Sequence, residues 1–100
     1  MSDWQISMDV DDPAAVPYFN WDGPVTNADV RRALREGDEA DRLYWITRIM
    51  REAQVPDVWK YVSLRRDLLP RWEQVRPKLG RRRAFWEFLI DRWRRDGRLG

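Results

Sequence analysis

The helix breakers constrain this chain more than any other feature. Pro13, Pro17, Gly23, Pro24, Gly37, Pro56, Pro70, Pro77, Gly80 and Gly97 interrupt its one hundred residues so often that the longest unbroken run is residues 38 to 55. Proline has no N–H for a helical ladder and crowds the carbonyl four residues back, while glycine marks helix ends, so only short helices fit. A chain of this length forms one domain, able to bury a core but with little room for a deep cleft.

Between the breakers the apolar spacing is helical. Thr26 is a good N-cap, because its hydroxyl can accept from the exposed N–H of Asp29; Val30 and Leu34 share a face and Gly37 ends the run, which predicts a helix over 27 to 36. Asp38 caps a second helix, 39 to 53, in which Leu43, Ile46, Met50 and Ala53 recur at helical spacing and Tyr44, Trp45 and Ile49 widen the stripe. So wide a stripe suits a central helix, and the short turn before it makes the two helices antiparallel neighbours or nearly so. Pro56 and Asp57 open a brief turn of helix through Val58, Trp59 and Tyr61. Ser63 then caps a helix expected to kink or restart at Pro70, with Trp72 and Val75 continuing inward. Beyond Pro77 and Gly80 a last helix runs from 81 to about 95, where Phe85, Phe88, Leu89 and Trp93, with Trp86 and Ile90, cover more than half the circumference; Gly97 closes it. A helix so apolar is expected to be buried on two sides.

The start of the chain differs. Positions 4 to 10 place Trp4, Ile6, Met8 and Val10 on one side and Gln5, Ser7 and Asp9 on the other, the period of a half-buried strand. Residues 11 to 24 form an extended connector carrying Tyr18, Phe19 and Trp21. The expected fold is therefore all-α: a compact bundle or short stack of four to five helices over residues 18 to 100, with an extended or β-strand acidic arm over residues 1 to 17.

Composition limits the chemistry. With 43% hydrophobic and 36% charged residues there is enough apolar surface to offset chain entropy. No apolar run approaches the roughly 20 residues of a membrane span, and the amino terminus is acidic, so a cytoplasmic protein without a secretory signal is expected. Without cysteine there is no thiolate ligand or disulfide, and without histidine the commonest general base is missing. No phosphate-cradling glycine motif and no nucleophile–base–acid set is present. Asp38, Glu39 and Asp41 sit at a helix cap, and Asp9, Asp11 and Asp12 lie in an acidic segment that lacks the glycine and distal glutamate of a calcium loop. Neither group is expected to be catalytic or to hold a metal, no cofactor is implied, and the chain is expected to work by binding.

Charge is polarised along the chain. Residues 1 to 30 hold six acids and no base, whereas residues 64 to 100 hold twelve basic residues against five acids, for a net +7. Seven tryptophans are more than so small a core encloses, so some are expected at the surface; Trp45, Trp59, Trp72, Trp86 and Trp93 fall at helical spacing and are most simply core, and Trp4 and Trp21 lie outside the helices. Tryptophan and arginine carry much of the energy of protein interfaces. Trp4, Ile6, Met8, Val10, Asp11, Asp12, Trp21 and Asp22 therefore form one candidate partner-binding set, acting by strand addition, with an acidic tail folded back on its own helices as the other reading. Arg76, Lys78, Arg81, Arg82, Arg83, Arg94 and Arg95 form a candidate nucleic-acid-binding set, with a solvated basic face as its alternative. A homodimer is compatible with either.

Two segments carry a resemblance. Tyr18-Phe19-Asn20-Trp21-Asp22, and Leu79-Gly80-Arg81-Arg82-Arg83-Ala84-Phe85-Trp86-Glu87-Phe88-Leu89, with Asp57-Val58-Trp59 between them, resemble small bacterial helical proteins found beside nucleotidyltransferase toxins of the abortive-infection type, over roughly residues 18 to 93. The resemblance implies an antitoxin-like protein that inhibits a toxin enzyme encoded nearby by direct contact. The charge is compatible, since an enzyme handling RNA phosphates needs a basic pocket that the amino-terminal stretch, −6 over residues 1 to 30, can shield.

Overall fold

A computed structural model describes residues 6–20 and 25–97, and of Ile6 and Ser7 the backbone alone. The fold is all-α, with five α-helices among the described residues and one short extended ribbon. The helices are α1 (Asn27–Glu36), α2 (Glu39–Glu52), α3 (Val55–Val58), α4 (Trp72–Val75) and α5 (Arg83–Arg95). None is long and apolar enough to cross a membrane.

The first two helices form as their caps dictate. Thr26 accepts from the Asp29 N–H at 3.2 Å while the Asp29 carboxylate accepts from the Thr26 N–H at 3.1 Å, a reciprocal box that satisfies two donors at the start of α1. Asp38 caps α2 with a single bond, accepting from the Asp41 N–H at 2.8 Å. Gly37 stops α1 with extended backbone, φ −68°, and not with the left-handed conformation common at helix ends. Glycine is needed there for space, because a Cβ would lie 2.5 Å from the Ala33 carbonyl oxygen. The tight corner lays α1 against α2, and α2 is central: Ile46, Ile49, Met50 and Ala53 are fully buried and meet Val30 and Leu34 from α1, Val58 from α3, Trp72 and Val75 from α4, and Trp86 and Ile90 from α5.

Pro70 neither kinks nor restarts a regular helix; it changes the pitch. Ser63 caps a π-helical turn, Leu64–Leu68, in which the Leu69 N–H reaches the Leu64 carbonyl, and a 3-10 turn Leu69–Arg71 containing Pro70 leads into α4. The carbonyl that Pro70 cannot serve belongs to Arg66, and the Arg71 guanidinium reaches it at 3.4 Å and the Asp67 carbonyl at 2.9 Å. The same guanidinium grips Glu39 at the start of α2 with two parallel bonds of 2.7 and 2.9 Å. One side chain thus replaces the missing ladder bonds and fastens the segment to the central helix, a fork that lysine cannot reproduce. A second 3-10 turn, Arg76–Lys78, follows α4, and Gly80 at φ 55° takes the left-handed turn that opens Gly80–Arg82 ahead of α5.

The acidic segment folds onto the helices. Ile6–Ser7 (β1) pairs in parallel with Val16–Pro17 (β2), so the strand finds its host ten residues on in its own chain. Between them Asp9 and Asp12 act as turn formers, their carboxylates accepting from the N–H groups of Asp11 at 3.1 Å and Ala14 at 3.0 Å. Asn27, fully buried at the first turn of α1, donates to the carbonyls of Asp9 at 3.2 Å and Asp12 at 2.8 Å and accepts from the Tyr61 hydroxyl at 2.6 Å. The N–H groups of Asn27 and Ala28 donate to Ala15 and Pro13, so this segment satisfies helix-start donors that would otherwise face solvent. Val10 and Phe19 belong to the core.

Tyr18 ties the end of that segment to α3. Its hydroxyl donates to the Asp57 carboxylate at 2.6 Å and accepts from the Gln54 N–H at 2.7 Å. Burial, followed by the bond to Asp57, pushes its ionisation up to about 12. The unfolded chain loses this proton near the ordinary value of 10.0 and the folded chain near 12, so between the two the folded state alone retains it. Stability is therefore expected to fall as pH rises through that window. Alkaline unfolding followed by circular dichroism, alongside tyrosinate absorbance, checks this, and the slope should flatten in Tyr18→Phe.

Candidate interaction surfaces

Of the partner-binding set, Trp4, the Ile6 side chain, Trp21 and Asp22 lie outside the described residues. The others do not share one face. Met8 is exposed, whereas Val10 is buried in the core two residues later, because the turn at Asp9 ends the alternation. Asp11 sits 3.4 Å from Lys60, an exposed pair of little energetic consequence, and Asp12 shapes its own turn. No cluster of three or more potential metal ligands occurs among the described residues.

The basic set also divides. Arg76 bonds Glu87 at 2.6 and 3.0 Å and reaches Glu73 at 3.3 Å, and Arg83 lies 3.3 Å from the same Glu87. The bond from Arg76, then that from Arg83, holds the Glu87 carboxyl below the usual glutamate range. Arg82 is structural: its guanidinium caps the carbonyl end of α2, bonding Ala53 and reaching Met50 at 3.4 Å, beside the Trp86 indole N–H that donates to Met50 at 3.0 Å. Lys78, Arg81, Arg94 and Arg95 have no side-chain partner among the described residues, although Arg92, beside them, faces Asp96 at 3.6 Å.

Helix α5 is not buried on two sides. Trp86 and Ile90 are fully enclosed and Leu89 and Trp93 partly so, but Phe85 and Phe88 are 43% and 56% exposed. The reason is geometric: the turns Arg76–Lys78 and Gly80–Arg82 lie beside α5, whose Trp86 and Ile90 enter the core, and Phe85 and Phe88 fall where solvent still reaches them. Phe85, Phe88, Arg92 and Arg95 follow one another at steps of three, four and three, which puts them in one row along that face. Arg81 stands one turn ahead of the row. Two neighbouring aromatic rings in water, flanked by cations at both ends, form the apolar centre and charged rim of a protein interface. Sequence periodicity counted both rings as core because it registers how much apolar surface a helix has and not how much of it a short chain can cover.

Two concave regions were not legible in the sequence. An open groove of about 530 Å³ runs along α2 past Leu43, Tyr44, Thr47 and Arg51 toward Lys78. At its wall Arg48, only 8% exposed, donates to the Phe19 carbonyl at 3.2 Å and to the Tyr44 hydroxyl at 2.9 Å, and so joins α2 to the segment before α1. A smaller, more polar concavity lies between α1 and the stretch following α3. Comparison with protein-family models, with curated proteins and with solved structures returns no match for this chain.

Proposed function

We propose that this chain is a non-catalytic binding module that docks a partner protein along the outer face of α5. Its role would be the one that its resemblance to antitoxin-like proteins implies, inhibition of a nucleotidyltransferase-type toxin in the cytoplasm by direct contact. The exposure of Phe85 and Phe88, side by side within a row of arginines, carries the proposal. Such rings cost free energy in water and gain it in a partner's apolar groove, while guanidinium groups at the ends of the row favour acids at the groove's rim. A second copy of this chain fits less well, since a helix laid antiparallel on the same row brings Arg81 toward the other chain's Arg92. Duplex nucleic acid fits less well too: Arg76, Arg82 and Arg83 are held by intramolecular partners, and two phenyl rings occupy the centre of the row.

Coexpression with the product of the adjacent gene tests this. The wild-type chain should copurify with that product and relieve its toxicity. The double substitution Phe85→Asp with Phe88→Asp should weaken the complex by about a hundredfold or more, as expected for two aromatic anchors, with the circular dichroism spectrum unchanged. Failure of the wild type to copurify or protect would overturn the proposal, as would retention of a single-stranded oligonucleotide with no protein partner.

A further inference from the structure

We infer that the small concavity between α1 and the stretch after α3 is a binding site for a phosphate dianion, free or as a monoester. It has a volume of about 220 Å³ and is lined by Arg31, Leu34, Arg35, Lys60, Tyr61 and Arg66. Four of these six are cations, and they arrive from separate stretches of the chain, so helical periodicity alone does not bring them together. The acids bonded to them are Asp11, 3.4 Å from Lys60, and Asp67, which holds Arg66 at 3.1 and 3.2 Å. Two acids against four cations leave an excess of two positive charges, matching a phosphate dianion.

The donors are prepared in advance. The Arg31 guanidinium is stacked 4.4 Å over the Tyr61 ring. It donates to the Val10 carbonyl at 3.0 Å and to the Lys60 carbonyl at 3.5 Å, both times through Nη2, which leaves Nε and Nη1 for a ligand. Tyr61 is itself fixed by its bond to buried Asn27. Arg35, one helical turn beyond Arg31, has no side-chain partner among the described residues. Like charges at this spacing repel, and an oxyanion between them turns repulsion into two charge-assisted bonds. Anions are disfavoured at the carbonyl end of a helix, but here the Arg42 guanidinium covers the Arg35 carbonyl at 2.9 Å. Guanidinium groups suit a tetrahedral oxyanion because each offers a planar fork of donors. The site is independent of the α5 face and does not rest on the partner proposed above.

Titration of the whole chain with inorganic phosphate, against chloride at matched ionic strength, tests the inference by nuclear magnetic resonance of the arginine side chains. Saturable shifts at Arg31 and Arg35 are expected, and Arg35→Gln should weaken binding roughly tenfold, the effect of one hydrogen bond to a charged group. Arg94→Gln, which removes a partnerless cation from α5, should leave affinity unchanged. A parallel arm with a nucleoside 5′-monophosphate shows which form is held: tighter binding than free phosphate assigns a monoester, equal or weaker binding assigns the free anion, and saturation by either supports the site. Absence of saturation in both arms, or equal losses in Arg35→Gln and Arg94→Gln, would overturn it.

Discussion

Trp86→Ala is expected to leave the chain largely unfolded at physiological temperature. Trp86 is fully enclosed, its ring meeting Trp59 edge-on at 5.7 Å and Phe85 at 5.3 Å, and its N–H serves the Met50 carbonyl at the end of α2. Truncating a buried tryptophan typically costs about 3–5 kcal/mol, through lost burial and the cavity left behind. The Met50 carbonyl would keep only the long contact from Arg82, which adds about 1 kcal/mol. A domain of this size has roughly 5–15 kcal/mol in total, so the loss takes a large share of it. Thermal and urea denaturation should show an early or missing transition. Trp86→Phe, which keeps a ring and loses the donor, should fall between that variant and the parent. A Trp86→Ala chain melting within a few degrees of the parent would show that α5 does not hold α2.

Asn27→Leu should have the next largest effect, and one of a different kind. The substitution leaves the Asp9 and Asp12 carbonyls and the Tyr61 hydroxyl without the partner that joins them. At about 1 kcal/mol for each bond the loss is on the order of 3 kcal/mol, concentrated where the acidic segment meets α1. Local release is therefore expected before global unfolding. Limited proteolysis should cut within residues 8 to 20, and the N–H groups of Asn27's replacement and Ala28, which donate to Ala15 and Pro13, should exchange faster while those of α2 stay protected. Equal acceleration throughout would mean that the segment is no separate unit of stability.

These two residues show what the sequence made legible. Thr26, Asp38 and Ser63 announced their helices because a cap acts across three residues, within the reach of a local pattern. The wide stripe on α2 marked the central helix, and Trp72 and Trp86 are core as their spacing implied, with Trp45, Trp59 and Trp93 half-buried around them. The joint role of Asn27 was not legible, because its partners lie 15, 18 and 34 residues away. Arg82 looked like one of three equivalent arginines, and only the arrival of α2's carbonyl end beside it separates it from Arg81. The four cations around the small concavity were likewise invisible, since Arg31 and Arg66 are 35 positions apart.

The inner side of α5 closes the end of α2 through Trp86, next to Arg82, while its outer side carries the exposed Phe85 and Phe88. Alterations at Phe88, Arg92 or Arg95 therefore leave the closure intact, whereas Phe85, edge-on to Trp86 at 5.3 Å, takes part in both. If the proposed partner docks there, a lineage carrying this scaffold can follow a changing target by replacing a few outward side chains, without having to find a new way to fold.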